Sequence, residues 1–349
     1  MADSEYGVLD RLLHRLALGF AGVAEASFDM DQAAVRVDPA RVVSERHVFV
    51  SGLARAGTSV LMRRFHATGR YRSLTYRDMP FVLAPNLWRR LSRTSRRDIA
   101  KAERAHGDDV LVDADSPESF DEVFWRIFSG DEYLGDDRLV AYRPVDEVVS
   151  KYVRYVNAIL AASDTPLERY LSKNNNNILR LSALHQAFPN ALILIPFREP
   201  LQHAHSLLRQ HKRFAKMQSE QKFVLRYMTW LGHHEFGLDH RPFQFDGSAR
   251  PPHAADTLNY WLCLWCDTYS WLERSKPEAA QFVCYEDLCT EPEVWKRLAA
   301  LADVAAEQDS GDPFKLSDKP PSGDFDRGLA ERAHTIYARL VEGARARLR

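Results

Sequence analysis

The chain has 349 residues, 45% hydrophobic and 27% charged, which is the balance of a globular protein with a sizeable core. With 47 Lys+Arg against 48 Asp+Glu the formal net charge is -1, which excludes a nucleic-acid-coating surface and an acidic solvating chain. No apolar run reaches the roughly 18 residues of a membrane-spanning helix, and 4 cysteines make no disulfide framework, so a reducing, cytoplasmic setting is expected.

From Tyr6 to Ala24, apolar residues recur at helical spacing (Val8, Leu9, Leu12, Leu13, Leu16, Phe20). Asp10, Arg11 and Arg15 precede the apolar stretch and no small-residue cleavage site follows, which fits an amphipathic helix better than a signal peptide. The mixed residues 29–45 read as a linker. Residues 1–45 are therefore expected to form a helical extension and linker ahead of a domain spanning 46–349.

His47–Ser51 (HVFVS) is a short buried strand entering glycine, and Thr58–Thr68 resumes helical spacing through Leu61, Met62 and Phe65. The spacing predicts further helices over Asn86–Leu91, Pro117–Phe128 and Val145–Ala162, with Pro117 in a first turn. Tyr170–Ser172 is a short strand, followed by a helix through Ile178, Leu181, Leu184 and Phe188. Ala191–Phe197 (ALILIPF) is the most strand-like run, Pro200 opens the next helix, and Gln281–Tyr285 is another strand with a helix after Pro292. Strands alternating with helices predict an α/β fold, a central parallel sheet flanked by helices. Residues 231–253 lack a period, are rich in His, Gly and Pro, and read as an insertion or lid loop.

The strongest constellation is Gly52-Leu53-Ala54-Arg55-Ala56-Gly57-Thr58-Ser59, set between strand and helix. Its spacing matches the phosphate loop G-x-x-x-x-G-K-S/T, except that Thr58 replaces the lysine. Such a loop turns backbone N–H groups and a helix N-terminus toward phosphate. Without the lysine that reaches the β/γ-phosphates, it is poorly equipped to hydrolyse ATP or GTP. Arg55 instead offers a permanent cation inside the loop.

This loop, followed by Val60-Leu61, resembles the 5′-phosphosulfate loop of sulfotransferases that use 3′-phosphoadenylyl sulfate (PAPS). Arg55, Gly57, Thr58 and Ser59 match, while Ala54 and Ala56 stand where proline and serine are usual. Three further matches follow in order. Arg198-Glu199-Pro200 at a strand end, with Ser206 eight residues after the arginine, resembles the family's 3′-phosphate element; Lys173-Asn174 resembles its lysine motif, with Asn175 where proline is usual; and Tyr285-Glu286-Asp287-Leu288 resembles the element whose tyrosine lies near the adenine. The resemblance covers roughly residues 46–300 and implies a P-loop NTPase-like sulfotransferase fold with helical insertions.

It also implies roles. Arg55, Ala56, Gly57, Thr58, Ser59, Arg198, Ser206 and Tyr285 would bind the donor, and Arg55 and Lys173 would stabilise the sulfonyl group in transfer. No metal would be needed, because these cations supply the charge. Asp78, about twenty residues beyond the loop, is the expected general base, with His203 and His205 as runners-up. The acceptor would be a small molecule or glycan carrying a hydroxyl or amine. A nucleotide-binding regulatory or kinase-like protein is the alternative, with Asp287 its nearest metal-binding aspartate. Cys263-x2-Cys266 and Cys284-x4-Cys289 mimic a zinc pattern but sit in an aromatic helix and on an apolar strand, as buried thiols do. His233, His234, His240 and His253 are expected to touch a polar acceptor from the lid, and Arg89, Arg90, Arg93, Arg96 and Arg97 form a solvated cationic cluster.

Overall fold

The computed structural model describes residues 7–35, 38–92, 102–103, 111–112, 117–163, 167, 169–248, 250–306, 313–316 and 323–348. The expected α/β architecture is what forms. Three helices, α1 (Val8–Gly19), α2 (Ala21–Ala34) and α3 (Pro39–Ser44), precede β1 (Val48–Val50) and α4 (Thr58–His66). Next come β2 (Tyr71–Arg72), α5 (Pro85–Ser92), β3 (Ala102–Glu103), β4 (Leu111–Val112), α6 (Glu122–Tyr133), β5 (Leu139–Val140) and α7 (Asp146–Ala161). The middle of the chain gives β6 (Arg169–Lys173), α8 (Leu181–Ala187), β7 (Leu192–Phe197), α9 (Pro200–Glu220), α10 (Lys222–Trp230) and β8 (Phe243–Gln244). It closes with α11 (Leu258–Ser275), β9 (Ala280–Cys284), α12 (Tyr285–Thr290), α13 (Pro292–Leu301) and α14 (Arg327–Leu348).

Five strands form one sheet in the order β2-β6-β1-β7-β9, and every pairing is parallel. The period of two along each strand sends alternate side chains into two cores. Phe49, Ile193, Ile195 and Phe197 join the larger core under α6, α7, α9 and α11. Val48, Val50, Leu192 and Leu194 join the smaller one with Leu61 and Phe65 of α4 and Trp295 and Leu298 of α13. A sheet covered on both faces needs apolar residues at every position, hence the unbroken LILIPF of β7.

Three local expectations are corrected. The N-terminal helix breaks at Phe20, whose backbone is extended, and helix resumes through Ala34 where a linker was expected. The polar residue that gives this helix a linker's composition is Asp31, which is fully buried and accepts hydrogen bonds from Asn86 Nδ2 (2.9 Å) and Leu87 N (2.7 Å). Phe28 and Ala24 of α2 belong to the larger core, so this region packs into the main body. Pro117 pairs with Thr75 in an isolated bridge, and the helix begins only at Glu122. The helix expected through Ile178 is a 3-10 turn (Asn175–Leu179) before α8, because Arg180 leaves helical geometry between them. Residues 231–253 carry buried anchors in His234, Phe236, Phe243 and Phe245, and β8 pairs with β5. Arg93, Arg96 and Arg97 lie outside the described residues; Arg89 donates to the carbonyls of Ala162 (2.7 Å) and Ser163 (2.6 Å).

Candidate active site

Parallel strands share one carboxyl edge, and in open α/β sheets that edge holds the ligand. The ends of β1, β6, β7 and β9 bring the phosphate loop, Lys173, Arg198 and Tyr285 to it. The loop is pinned at its root, where Ser51 N donates to Leu194 O (2.8 Å) and Asn174 N to Val50 O (3.1 Å). At Gly52 a Cβ would meet the Pro196 carbonyl oxygen at 2.9 Å, and at Gly57, where φ is 85°, one would meet Tyr285 Cδ2 at 2.2 Å. Only glycine fits either place. Arg55 also has positive φ (70°), strain of the kind concentrated at functional sites. Ala56 and Thr58 are buried and Ser59 is half-buried as α4 begins.

The two expected phosphate elements meet. Arg55 Nε donates to Ser206 Oγ at 3.3 Å, across a sequence separation of 151 residues. Arg198 ends β7 with its guanidinium 5.7 Å from the centre of the Tyr285 ring. Its Nε is buried without a hydrogen-bond partner, and Glu286 Oε1 is 3.9 Å away. Glu199 caps α9 by accepting from Leu201 N (3.2 Å) and Gln202 N (2.7 Å), and Pro200 takes the first turn, where its missing N–H costs nothing. Arg-Glu-Pro thus ends a strand, points an arginine outward and starts a helix, whose second turn carries Ser206.

The C-terminal helix braces this half of the site. Tyr337 donates to Glu286 Oε2 (3.0 Å), His334 Nε2 lies 3.0 Å from Glu199 Oε1, and Arg345 grips Asp287 with both arms (2.9 and 2.7 Å). Asp287, the aspartate a kinase-like reading needs, is committed to that ion pair.

Lys173 is buried at the end of β6, its Cα paired with that of Val50 at the root of the loop. The following asparagines fix it. Asn174 Oδ1 accepts from Asn176 N (3.0 Å), and Asn174 Nδ2 donates to Glu122 Oε2 (2.8 Å). Glu122 also accepts from Arg180 Nη2 at 2.6 Å, with both side chains almost wholly buried, and from the Tyr133 hydroxyl. Its neighbour Asp121 takes hydrogen bonds from the hydroxyls of Ser172, Tyr152 and Tyr170. Nothing local in the sequence announces this buried network beneath the lysine strand.

Two expected proton acceptors are committed elsewhere. Asp78 Oδ1 pairs with Arg72 Nη2 at 2.5 Å, and its Oδ2 accepts from Thr75 N (2.7 Å) and Thr75 Oγ1 (3.3 Å). The carboxylate closes a capping box on the turn Tyr76–Asp78, so both of its oxygens already accept hydrogen bonds within the protein. His203 is fully buried, its Nε2 2.8 Å from the Ala54 carbonyl, while its Nδ1 accepts from Trp265 Nε1 (3.1 Å). Burial, only partly offset by the Ala54 bond, drops its pKa to about 3, so it stays neutral and holds the phosphate loop. His205 is half-buried on the same helix. Replacing Asp78 by asparagine should therefore lower stability by about 1.5–3 kcal/mol through the lost ion pair. Turnover per folded molecule should stay within a few-fold. Denaturant unfolding beside an activity assay checks this; a hundredfold loss of turnover at unchanged stability would restore Asp78 as the base.

All four cysteines are free. Burial pushes the thiols of Cys266 and Cys284 up to about 12, which makes both inert. Among the described residues no group of three or more His, Cys, Asp or Glu is placed to hold a metal ion, and no helix is long and apolar enough to cross a membrane.

A parallel sheet opening into a lysine-free phosphate loop, with Lys173 buried and Arg55 and Arg198 half-buried at the same edge, is built to meet an anionic group. Residues 47–242, more than half of the chain, match the profile of the "Sulfotransferase family", and the chain belongs to that family. Similar solved structures include a sulfotransferase from Mycobacterium tuberculosis (16% identity, 96% of this chain and 83% of that one, TM-score 0.45). Another is a sulfotransferase from Mycobacterium avium (16% identity, 94% and 83%, TM-score 0.47). A third is a sulfotransferase from Alicyclobacillus acidocaldarius (17% identity, 88% and 96%, TM-score 0.36). No curated protein sequence matches the chain.

Proposed function

We propose that the sulfonyl donor is PAPS and that the acceptor is a hydroxyl or amine of a small molecule or glycan, in the cytoplasm. The observation that carries the donor is Arg198 beside the Tyr285 ring, on the strand next to the phosphate loop: its Nε is buried without a hydrogen-bond partner, and Glu286 Oε1 stands 3.9 Å off, beyond hydrogen-bond reach. A cation so placed asks for an anion, and the loop already serves one phosphate, so the ligand has two phosphate ends. The glycine cradle at Gly52 and Gly57, which a Cβ would fill, fits the same ligand.

Bound there, PAPS supplies a sulfonyl group already joined to a phosphate leaving group. The backbone and hydroxyls of Ala56, Gly57, Thr58 and Ser59 would hold the 5′-phosphate, Arg198 and Ser206 the 3′-phosphate, and Tyr285 the adenine side. Arg55 bridges the two ends through Ser206. With Lys173 it supplies positive charge where negative charge grows during transfer. Free cysteines support the cytoplasmic setting. Calorimetry should show adenosine 3′,5′-bisphosphate binding more tightly than AMP by about 1.5–3 kcal/mol for each lost charge-assisted bond, a difference that Arg198→Ala should erase. Equal affinities in the unaltered protein would overturn the donor assignment.

A further inference from the structure

With Asp78 and His203 committed, the acceptor's proton needs another destination. Residues 231–253 are stitched to the chain just after Lys173, because the Gly232 carbonyl accepts from Asn176 Nδ2 (3.1 Å) and Glu235 Oε1 accepts from Asn175 Nδ2 (3.0 Å). Between these two anchors His233 places Nδ1 3.5 Å from Glu235 Oε2, the side chains being 20% and 12% exposed. Among the described residues, the His233 ring has no other hydrogen-bond or ion-pair partner, so Nε2 is open. We propose that His233 is the general base of sulfonyl transfer and that Glu235 is the positioning residue that orients its ring.

A carboxylate on one ring nitrogen fixes the tautomer, leaves the other nitrogen as acceptor, and steadies the imidazolium once it forms. Glu235 is suited to this. Burial by itself would raise its pKa, but His233, Asn175 and the charge of Lys173 outweigh burial and hold it down to about 2. Glu235 is held by Asn175, two residues after Lys173, and feels the lysine's charge, and Lys173 is in register with Val50 at the root of the loop. In the step, His233 Nε2 takes the acceptor's proton as the acceptor oxygen bonds to sulfur. The bond from sulfur to the 5′-phosphate oxygen breaks, its electron pair stays on that phosphate beside Arg55, and the imidazolium later returns its proton to water.

This assignment rests on the donor reading above, and the test separates the two. The probes are PAPS with water and with a panel running from 4-nitrophenol, whose proton is already largely lost at mildly alkaline pH, to simple alcohols. His233→Ala should bind adenosine 3′,5′-bisphosphate within about twofold of the unaltered protein. Its turnover should fall by roughly 10²–10⁴ with alcohols and far less with 4-nitrophenol. Added imidazole should restore part of the loss, and Glu235→Gln should show a smaller loss of the same pattern. His233→Gln, closer in size and polarity, guards against misfolding. Unchanged turnover, or an equal fall for every acceptor, would overturn the base. So would an unaltered protein that binds the bisphosphate but consumes no PAPS with any probe, and that outcome leaves the donor site standing. An unaltered protein that fails to bind the bisphosphate sinks the donor reading itself.

Discussion

Gly57→Ala is expected to reduce affinity for adenosine 3′,5′-bisphosphate by tenfold or more while the protein still folds. The backbone at Gly57 has φ 85°, and an L-residue held there costs roughly 1–2 kcal/mol. The added methyl would also fall 2.2 Å from Tyr285 Cδ2, far inside contact distance. The ring cannot yield cheaply, because its hydroxyl donates to Lys315 O at 3.0 Å and its face lies under Arg198. Either the loop or the tyrosine must move, and both belong to the proposed donor site. Calorimetry measures the loss, and thermal melting confirms folding. Binding within twofold of the original would show that loop and ring are not coupled.

The second large effect is on stability. Replacing Arg180 by methionine should lower the unfolding free energy by about 3–5 kcal/mol, because Glu122 would be left in the core without its counter-charge. The guanidinium also lies 4.7 Å from the Trp125 ring centre and 5.0 Å from that of Tyr133, contacts a thioether replaces only in part. Urea unfolding should show a lower midpoint at unchanged slope. Adding Glu122→Gln should recover part of the loss, since the amide needs no counter-charge. A loss below about 1 kcal/mol would mean that the Tyr133 hydroxyl and the Asn174 amide already satisfy Glu122.

What was legible in the sequence follows from the range of the forces involved. The runs HVFVS and ALILIPF betray buried strands because each residue faces a core, and Gly52 to Ser59 betrays a phosphate loop because its backbone needs glycine at fixed places. The order of Lys173, Arg198 and Tyr285 was readable for the same reason: each ends a strand on one edge. Partners were not readable. Asp78 has the residue type and position of a base, but Arg72 and Thr75 consume its oxygens. His203 looked like a spare histidine until Ala54, 149 residues away, took its ring. Asp31 made a core helix look like a linker, because its capping target, Leu87, is 56 residues downstream. In residues 231–253, hydrogen bonds to distant asparagines replace periodic apolar contacts, and a periodicity search sees nothing.

The bracing helix α14 carries a consequence for biosynthesis. A ribosome makes residues 327–348 after the residues they hold at the site, Glu199, Glu286 and Asp287. The β1 loop and the strands beside it can pair while the chain is still being extended. Glu286 and Asp287, just after β9, wait for Tyr337 and Arg345 to arrive. A nascent chain stalled before residue 327 would therefore own the loop after β1 but lack the brace behind Glu199 and Glu286. On the proposed donor reading, ligand rescue of a chain truncated before residue 327 should fail on the Arg198 side first.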